Sequence, residues 1–168
     1  LDINYINDVA DIAKNNNMSV HIDGARIFNA AVATGFSVSD LTKEVESVSF
    51  CLSKGLSAPS GSLLCGESNF IQRARFNRKA LGGGMRQAGI LAAAGIVALT
   101  VMSKKIIQDH QNAKKLSDGI NKIEGINLKL EKIKTNIIYF KLDHPKVNSK
   151  ALLEHMEKKN IRFFELAP

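Results

Sequence analysis

Short apolar stretches of strand character alternate with helical stretches through the first half of the sequence, and this rhythm constrains the fold more than any other feature. Strands are predicted at residues 19–23, 47–52 and 61–65, and helices at residues 5–16, 25–34 and 67–79. Gly35 follows the second helix at a position typical of a helix C-cap. This alternation predicts an α/β fold in which helices cover a sheet.

Polar residues follow the predicted strands directly. Asp23 ends the first strand, Lys54 lies just beyond the second, and three glycines, residues 82–84, precede a long helical region. In sheets of this class, functional residues collect in the loops beyond the strand ends. We therefore expect the functional site in these loops.

The long helical region runs from residue 86 to about residue 121, and residues 88–103 carry no charge. A membrane span needs about 20 apolar residues, and this stretch is shorter and rich in Ala and Gly. Its length therefore favours a buried helix, or a helix at a subunit interface, over a membrane span.

The character of the sequence changes after Gly125. Strands are predicted at residues 127–130, 136–142 and 161–164, and a helix at residues 148–159. The predicted organisation is a part of a large domain at residues 1–103, a connecting helix at residues 104–124 and a small, truncated α/β domain at residues 125–168. The first residue is not Met and the last follows a strand-like stretch, so we expect a piece of a longer chain.

The net charge of +7 leaves several classes of partner open. It is compatible with a nucleic-acid partner, an anionic cofactor or a merely basic surface. The lysines are scattered in pairs, and no aromatic residues alternate with basic ones as base stacking requires.

Cys51 and Cys65 lie in apolar, strand-like stretches, which favours buried free thiols and a reducing, cytoplasmic location.

Lys54 is the leading candidate nucleophile. A lysine at a strand end can be partly desolvated, which lowers the pKa of its amine and makes it competent to form a Schiff base. Gly55 would let the backbone turn sharply and a ligand approach. Because lysines are mostly exposed, Lys54 by itself is better explained as a surface residue, and its interpretation depends on other residues.

Asp23 and Arg26 favour a functional role for Lys54 over that of a surface residue. A cofactor that acts as an electron sink needs a carboxylate at its pyridine nitrogen, and Asp23 could face the same crevice as Lys54. Arg26 would supply a fixed cation for a carboxylate or for a ring oxygen of the cofactor.

His21 and Asp23 lie two apart on one strand and form a conceivable metal pair, but no third ligand is evident where three or four are usual.

The glycine run is flanked by basic residues on both sides. Three glycines before a helix can form an anion-binding nest that suits a phosphate. The run lacks the Lys-Ser/Thr ending of a P-loop, and three glycines also occur in plain flexible loops. The signal is weak without further support.

Three segments together resemble the threonine aldolase family of fold-type-I pyridoxal-phosphate enzymes: HIDGARIFNA, SFCLSKGLSAPSGSLLCG and RKALGGGMRQAGILAAAG. The resemblance is close over residues 21–99 and loose elsewhere. It implies the C-terminal part of a fold-type-I large domain with most of a small α/β domain. It also implies pyridoxal 5′-phosphate as cofactor, an amino acid as substrate, and a homodimer or homotetramer without nucleic-acid or membrane partners.

The resemblance assigns roles by position. Lys54 matches the lysine that carries the cofactor, Asp23 the aspartate at the pyridine nitrogen, and Arg26 the arginine at the cofactor ring and substrate carboxylate. Lys79 and Arg86 match basic residues that serve the phosphate region or a neighbouring subunit. The family's cofactor-stacking histidine, its phosphate contacts and a C-terminal arginine would lie outside this chain. We therefore expect the chain to be inactive by itself.

The implied activity is a carbon–carbon lyase of the low-specificity threonine aldolase type. Retro-aldol cleavage of L-threonine or L-allo-threonine would give glycine and acetaldehyde, and the catalytic base is not identifiable from the sequence. One alternative is another pyridoxal-phosphate β-eliminating lyase on the same fold. A more distant alternative is a non-enzymatic phosphate- or nucleic-acid-binding protein.

Overall fold

The computed structural model describes residues 2–166, which form two compact units that divide between Gln108 and Asp109. In chain order, the elements up to this boundary are α1 (Ile3–Asn15), β1 (His21–Asp23), α2 (Ile27–Thr34), α3 (Val38–Thr42), β2 (Ser47–Cys51), β3 (Ser62–Gly66), α4 (Ser68–Ala80), α5 (Gly89–Thr100) and a 3-10 helix (Met102–Lys105). Helix α6 (Ile106–Ile120) contains the boundary. The predicted three-part division, with a connecting helix at residues 104–124, stays a prediction.

The first unit contains a sheet of three strands in the order β1–β2–β3. β1 is parallel to β2, with His21 opposite Ser47 and Asp23 opposite Ser49, and β3 is antiparallel to β2. Because parallel strands end at the same edge of a sheet, the residues that follow β1 and β2 lie at a common edge. The predicted α/β class is confirmed, and the two parallel strands place the loops of interest side by side.

Side chains alternate between the two faces of β1 and β2, as in any strand. Val48 and Phe50 point into the core, where Phe50 meets the ring of Phe28 at a centroid distance of 5.4 Å. The buried cluster draws on α2, α3, β2, the loop after β2, α5 and the start of α6; its members are Ile27, Leu41, Val48, Phe50, Leu52, Leu56, Ala58, Ala98 and Ile106. The opposite face of the strands carries His21 and Asp23, so the sheet separates a packing face from a polar face.

Local signals explain where the helices of this unit begin and end. Gly35 caps α2 with a φ of 76° and donates its N–H to the carbonyl of Ala31, as predicted. The short helix α3 was not predicted, although it begins at a capping box in which Ser37 and Asp40 each accept the other's backbone N–H. The box is visible in the sequence as Ser-Val-Ser-Asp.

The long helical region predicted from residue 86 to about residue 121 is helical over most of its length, but the chain breaks after Thr100 and divides it into α5, a 3-10 helix and α6. The hydroxyls of Thr100 and Ser103 donate to carbonyls four residues earlier, Ile96 and Leu99, and such bonds bend helices. Of α5, Gly95 and Ala98 are buried, whereas Ile90 and Ile96 are exposed, so the helix is buried on one face only. Within the described residues no single helix is long and apolar enough to span a membrane, although the bent pair of Gly89–Thr100 and Met102–Ile120 passes that test together.

The second unit contains β4 (Ile126–Leu128), a 3-10 helix (Leu130–Lys132), β5 (Phe140–Leu142) and α7 (Ser149–Glu157). β4 and β5 pair antiparallel. The strand predicted at residues 161–164 is wrong, since these residues pair with no strand in the part of the chain that the structure describes; Phe163 instead packs its ring against Phe140. The first half of the strand predicted at residues 136–142 is likewise irregular.

The two cysteines are free thiols, but they are less buried than predicted. Cys51 is half-buried and Cys65 is exposed. Every residue of β3, which contains Cys65, is exposed at the edge of the sheet. The apolar character of this strand therefore does not correspond to burial within this chain.

Candidate active site

Asp23 is held at the carboxyl end of β1 by the turn into α2. Its carboxylate accepts the N–H of Ala25 at 3.3 Å, and the carbonyl of Gly24 accepts the N–H of Ile27 at 2.8 Å. Gly24 also donates its N–H to the carbonyl of Ser49 at 2.8 Å, which extends the pairing with β2 by one residue. The carboxylate is exposed at the strand end, and its backbone is fixed against β2.

Lys54 lies in a loop that is pinned from both sides. Its carbonyl accepts the N–H of Ser57, and the carbonyl of Leu52 accepts the N–H of Ala58, each at 2.9 Å. Leu52 and Leu56 are buried in the core on either side of Lys54. The backbone of the loop is therefore well anchored, while the side chain of Lys54 projects from it.

The side chain of Lys54 is exposed. The sheet buries Leu52 and Leu56 rather than the lysine between them, so the described residues give no support to partial desolvation of this amine, and its desolvation stays a prediction. The structure brings Lys54 and Asp23 to the same edge of the sheet, at the ends of two hydrogen-bonded parallel strands. Their roles in catalysis stay predictions.

Arg26 occupies the N-cap position of α2, three residues after Asp23. It is exposed, and it forms no salt bridge within residues 2–166. An arginine without a carboxylate partner keeps its planar set of donors available for an external anion. This arrangement suits the predicted contact with a carboxylate or a ring oxygen.

His21 bridges β1 and β2 on the polar face of the sheet. Its Nδ1 lies 2.9 Å from the hydroxyl of Ser47, and its Nε2 lies 3.2 Å from the hydroxyl of Ser49. Sequence reasoning missed this network, whose signal is the two serines spaced two apart on the next strand. Since both ring nitrogens are engaged, and no group of three metal-binding side chains occurs in the described part of the chain, the metal pair of His21 and Asp23 gains no support.

The glycine run serves as the C-terminal cap of α4, not as an anion nest. Gly82 adopts a φ of 82°, and its N–H donates to the carbonyl of Lys79 at 3.1 Å. The N–H of Gly83 donates to the carbonyl of Arg78 at 2.7 Å. This pair of bonds is a Schellman motif, so two of the three amides expected to bind a phosphate are already occupied.

Lys79 and Arg86 flank this cap and are both exposed. Lys79 lies in the last turn of α4, and Arg86 lies in the loop before α5. Neither forms a salt bridge with another residue among those the structure describes. The structure shows no contact that brings them to Asp23 or Lys54, and their assignment to the phosphate region or a neighbouring subunit stays a prediction.

The edge formed by β1 and β2 fits a pyridoxal-type cofactor by the chemistry of its donor set. It offers an exposed amine at Lys54, an exposed carboxylate at Asp23 and, at Arg26, a guanidinium that forms no salt bridge among the described residues. These groups match an aldehyde, a pyridine nitrogen and a carboxylate or ring oxygen, respectively. Two open cavities in the second unit, of about 470 and 640 Å³, include none of these residues.

Solved structures identify the fold. A protein from Exiguobacterium sp. 255-15, assigned as an aromatic amino acid beta-eliminating lyase/threonine aldolase, superposes with a TM-score of 0.82 over 92% of this chain and 44% of that chain, at 19% identity. The glutamate decarboxylase domain of a Vibrio parahaemolyticus protein superposes with a TM-score of 0.61. The chain thus shares the fold of these two proteins.

The chain belongs to the beta-eliminating lyase family, whose model matches residues 1–143. It is 43% identical to low-specificity L-threonine aldolase 1 of Arabidopsis thaliana over 96% of this chain, and 40% identical to the low specificity L-threonine aldolase of Escherichia coli O157:H7 over 94% of this chain. It covers 45% and 46% of those two proteins, respectively. The chain therefore spans about half the length of the relatives that it matches.

Proposed function

We propose that the complete protein is a pyridoxal-phosphate-dependent aldolase that cleaves L-threonine or L-allo-threonine to glycine and acetaldehyde. The observation that carries the proposal is the position of Asp23 and Lys54 at the carboxyl edge of the parallel strands β1 and β2. The names of the two relatives, threonine aldolases of a plant and a bacterium, support this substrate class.

Each residue of the site has a separate task in this proposal. Lys54 would hold the cofactor through its amine, and Asp23 would keep a proton on the pyridine nitrogen. Arg26 would bind and orient the carboxylate of the substrate. When bound, the cofactor supplies an electron sink for the charge released as the bond between Cα and Cβ breaks. Lys79 and Arg86 would add positive charge near its phosphate.

The quaternary structure and location form part of the same proposal. Ile90 and Ile96 of α5 are 78% and 63% exposed, and an apolar helix surface of this kind favours association with another copy. We propose a homodimer or homotetramer without nucleic-acid or membrane partners. The free thiols of Cys51 and Cys65 support a cytoplasmic location.

A product assay of the complete gene product tests the reaction. The protein is incubated with pyridoxal phosphate and L-threonine, and in parallel with L-allo-threonine. Glycine and acetaldehyde in equal amounts are the expected products. Ammonia and a keto acid as the only products would contradict the aldolase proposal and identify another β-eliminating lyase.

A trapping experiment tests the cofactor site itself. The complete protein should be yellow, and borohydride reduction followed by peptide mapping should find the cofactor on Lys54. A protein that binds phosphate or nucleic acid but develops no chromophore would contradict the proposed function, and cofactor trapped at another lysine would contradict the assignment of Lys54.

A further inference from the structure

Asn29 is a buried polar residue of α2, with only 2% of its surface exposed. A polar side chain withdrawn from water is costly unless it is hydrogen-bonded. No buried side-chain nitrogen or oxygen in residues 2–166 lacks a hydrogen-bond partner. The amide of Asn29 is therefore held in place, and it offers a rigid surface to the backbone that packs against it.

The backbone that packs against Asn29 is that of Gly55, the residue next to Lys54. A Cβ atom added to Gly55 would lie 2.6 Å from the Oδ1 atom of Asn29, closer than real contacts of this kind occur. Gly55 is not among the glycines with a positive φ. Space, and not backbone conformation, therefore requires glycine at this position.

This contact joins the two segments that carry the candidate site. Helix α2 begins directly after the turn that contains Asp23 and Arg26, and that turn is fixed by the bond from Ile27 N–H to the Gly24 carbonyl. Asn29 lies in the first turn of this helix, six residues after Asp23. A shift of Asn29 against Gly55 would therefore change the distance between the Lys54 loop and the Asp23 turn.

We propose that Asn29 is a positioning residue, whose buried amide sets the place of the Lys54–Gly55 backbone relative to Asp23. The inference rests on the proposed function, in which Lys54 and Asp23 act on one cofactor. A cofactor bound at two points is sensitive to their spacing, and displacements of about 1 Å in such sites have large effects on binding and rate.

A double-mutant cycle in the complete protein tests this role. Asn29→Ala, Gly55→Ala and the double variant are prepared as apoproteins, and the dissociation constant of pyridoxal phosphate is measured by absorbance titration. Gly55→Ala should weaken binding about tenfold, and Asn29→Ala should weaken it as well. In the Asn29→Ala background, the added methyl group of Gly55→Ala meets no amide and should change the affinity less than about twofold.

Gly119→Ala is the matched control, because a Cβ atom at Gly119 in α6 meets nothing within 4 Å. It should leave the affinity for pyridoxal phosphate unchanged. If Gly55→Ala alone fails to fold and the double variant folds, the contact is supported, and the Asn29→Ala variant by itself then reports on the affinity.

Two outcomes would overturn the proposal. One is that the effects of Asn29→Ala and Gly55→Ala on the affinity multiply without coupling. The other is a lower unfolding midpoint with an unchanged affinity and an unchanged absorbance spectrum of the bound cofactor, which is the signature of a merely structural residue. A wild-type protein that binds no pyridoxal phosphate would instead contradict the proposed function, so the two failures are distinguishable.

Discussion

The Nδ1 atom of His21 lies 2.9 Å from the hydroxyl of Ser47, across the parallel pair β1 and β2. Ser47 is buried, so its hydroxyl depends on this partner. We expect His21→Ala to lower the free energy of unfolding by about 1 kcal/mol, because it leaves a buried hydroxyl without its hydrogen bond. Urea unfolding of the complete protein measures the change.

His155→Ala removes an exposed histidine of α7 and is the control for this substitution. It should change the unfolding free energy by less than about 0.5 kcal/mol. The double variant His21→Ala/Ser47→Ala should be more stable than His21→Ala alone, since removal of both partners leaves no orphaned group. Equal losses for His21→Ala and His155→Ala would contradict the bridging role.

Lys54→Ala should abolish the chromophore of the complete protein without a measurable loss of stability, because the side chain of Lys54 is exposed and the loop is anchored by Leu52 and Leu56. Lys54→Arg keeps the positive charge but removes the amine that forms the Schiff base, and it should be equally colourless. Absorbance spectra and thermal unfolding check both expectations. Cofactor trapped by borohydride on a different lysine of Lys54→Arg would assign the anchor to that lysine.

Asp23→Asn separates the charge of the carboxylate from its structural role. The asparagine oxygen can still accept the N–H of Ala25, so the turn into α2 should persist. We expect the variant to bind pyridoxal phosphate but to lose at least about a hundredfold in kcat, because the charge that holds the ring nitrogen protonated is gone. Asp11→Asn, on the exposed face of α1, is the control.

Measurement of kcat for L-threonine by acetaldehyde release, with bound cofactor quantified in parallel, tests this expectation. Wild-type turnover in Asp23→Asn would contradict the electron-sink role of the carboxylate. A loss of cofactor binding without a change in the kcat of the loaded fraction would assign Asp23 to binding alone.

The positions of Asp23 and Lys54 could be predicted because strand ends are readable from local patterns. β1 and β2 lie within the predicted stretches, since apolar and polar residues alternate with the period of a strand. Parallel pairing then places both ends at one edge. The positions of the two strand ends therefore follow from the local sequence pattern and from the tendency of successive strands to lie side by side in a sheet.

The sequence was least informative where residues distant along the chain decide the structure. Residues 161–164 have the composition of a strand but pair with no strand among residues 2–166. Lys54 is exposed because Leu52 and Leu56, on either side of it, occupy the core. The burial of Leu52 depends in turn on helix α5, whose Gly95 packs against it. The contact between Asn29 and Gly55 has no signature in either segment taken alone, so it required the three-dimensional structure.

The carboxyl of Asp40 is expected to stabilise the fold only above acidic pH. Its hydrogen bonds with the hydroxyl and the N–H of Ser37 hold its pKa below the usual value. A carboxyl with a lowered folded-state pKa contributes stability at pH values above its unfolded pKa, and the contribution is lost as the pH falls through the folded pKa. Asp40→Asn should therefore lower the urea midpoint at neutral pH.

The difference between Asp40→Asn and the wild type should disappear under acidic conditions, where both side chains are neutral. Asp8→Asn makes the same charge change at an exposed position of α1 and is the control. Urea midpoints measured from neutral to strongly acidic pH test the pattern. A difference that is constant over the whole range would contradict the role of the ionised carboxyl in the capping box.

Gly82→Ala and Gly84→Ala distinguish a helix cap from a phosphate nest. Gly82 adopts a φ of 82° with open space around it, whereas Gly84 has no positive φ and would place a Cβ atom at an ordinary 3.7 Å from Lys79. Gly82→Ala should therefore destabilise the protein by about 1 kcal/mol through the left-handed backbone, and Gly84→Ala should be nearly neutral. Thermal unfolding and titration with inorganic phosphate separate the two roles. If the glycine run is a helix cap, Gly82→Ala should lower the stability, and neither variant should change the affinity for phosphate. Weakened phosphate binding in both variants, at unchanged stability, would instead support an anion-binding nest.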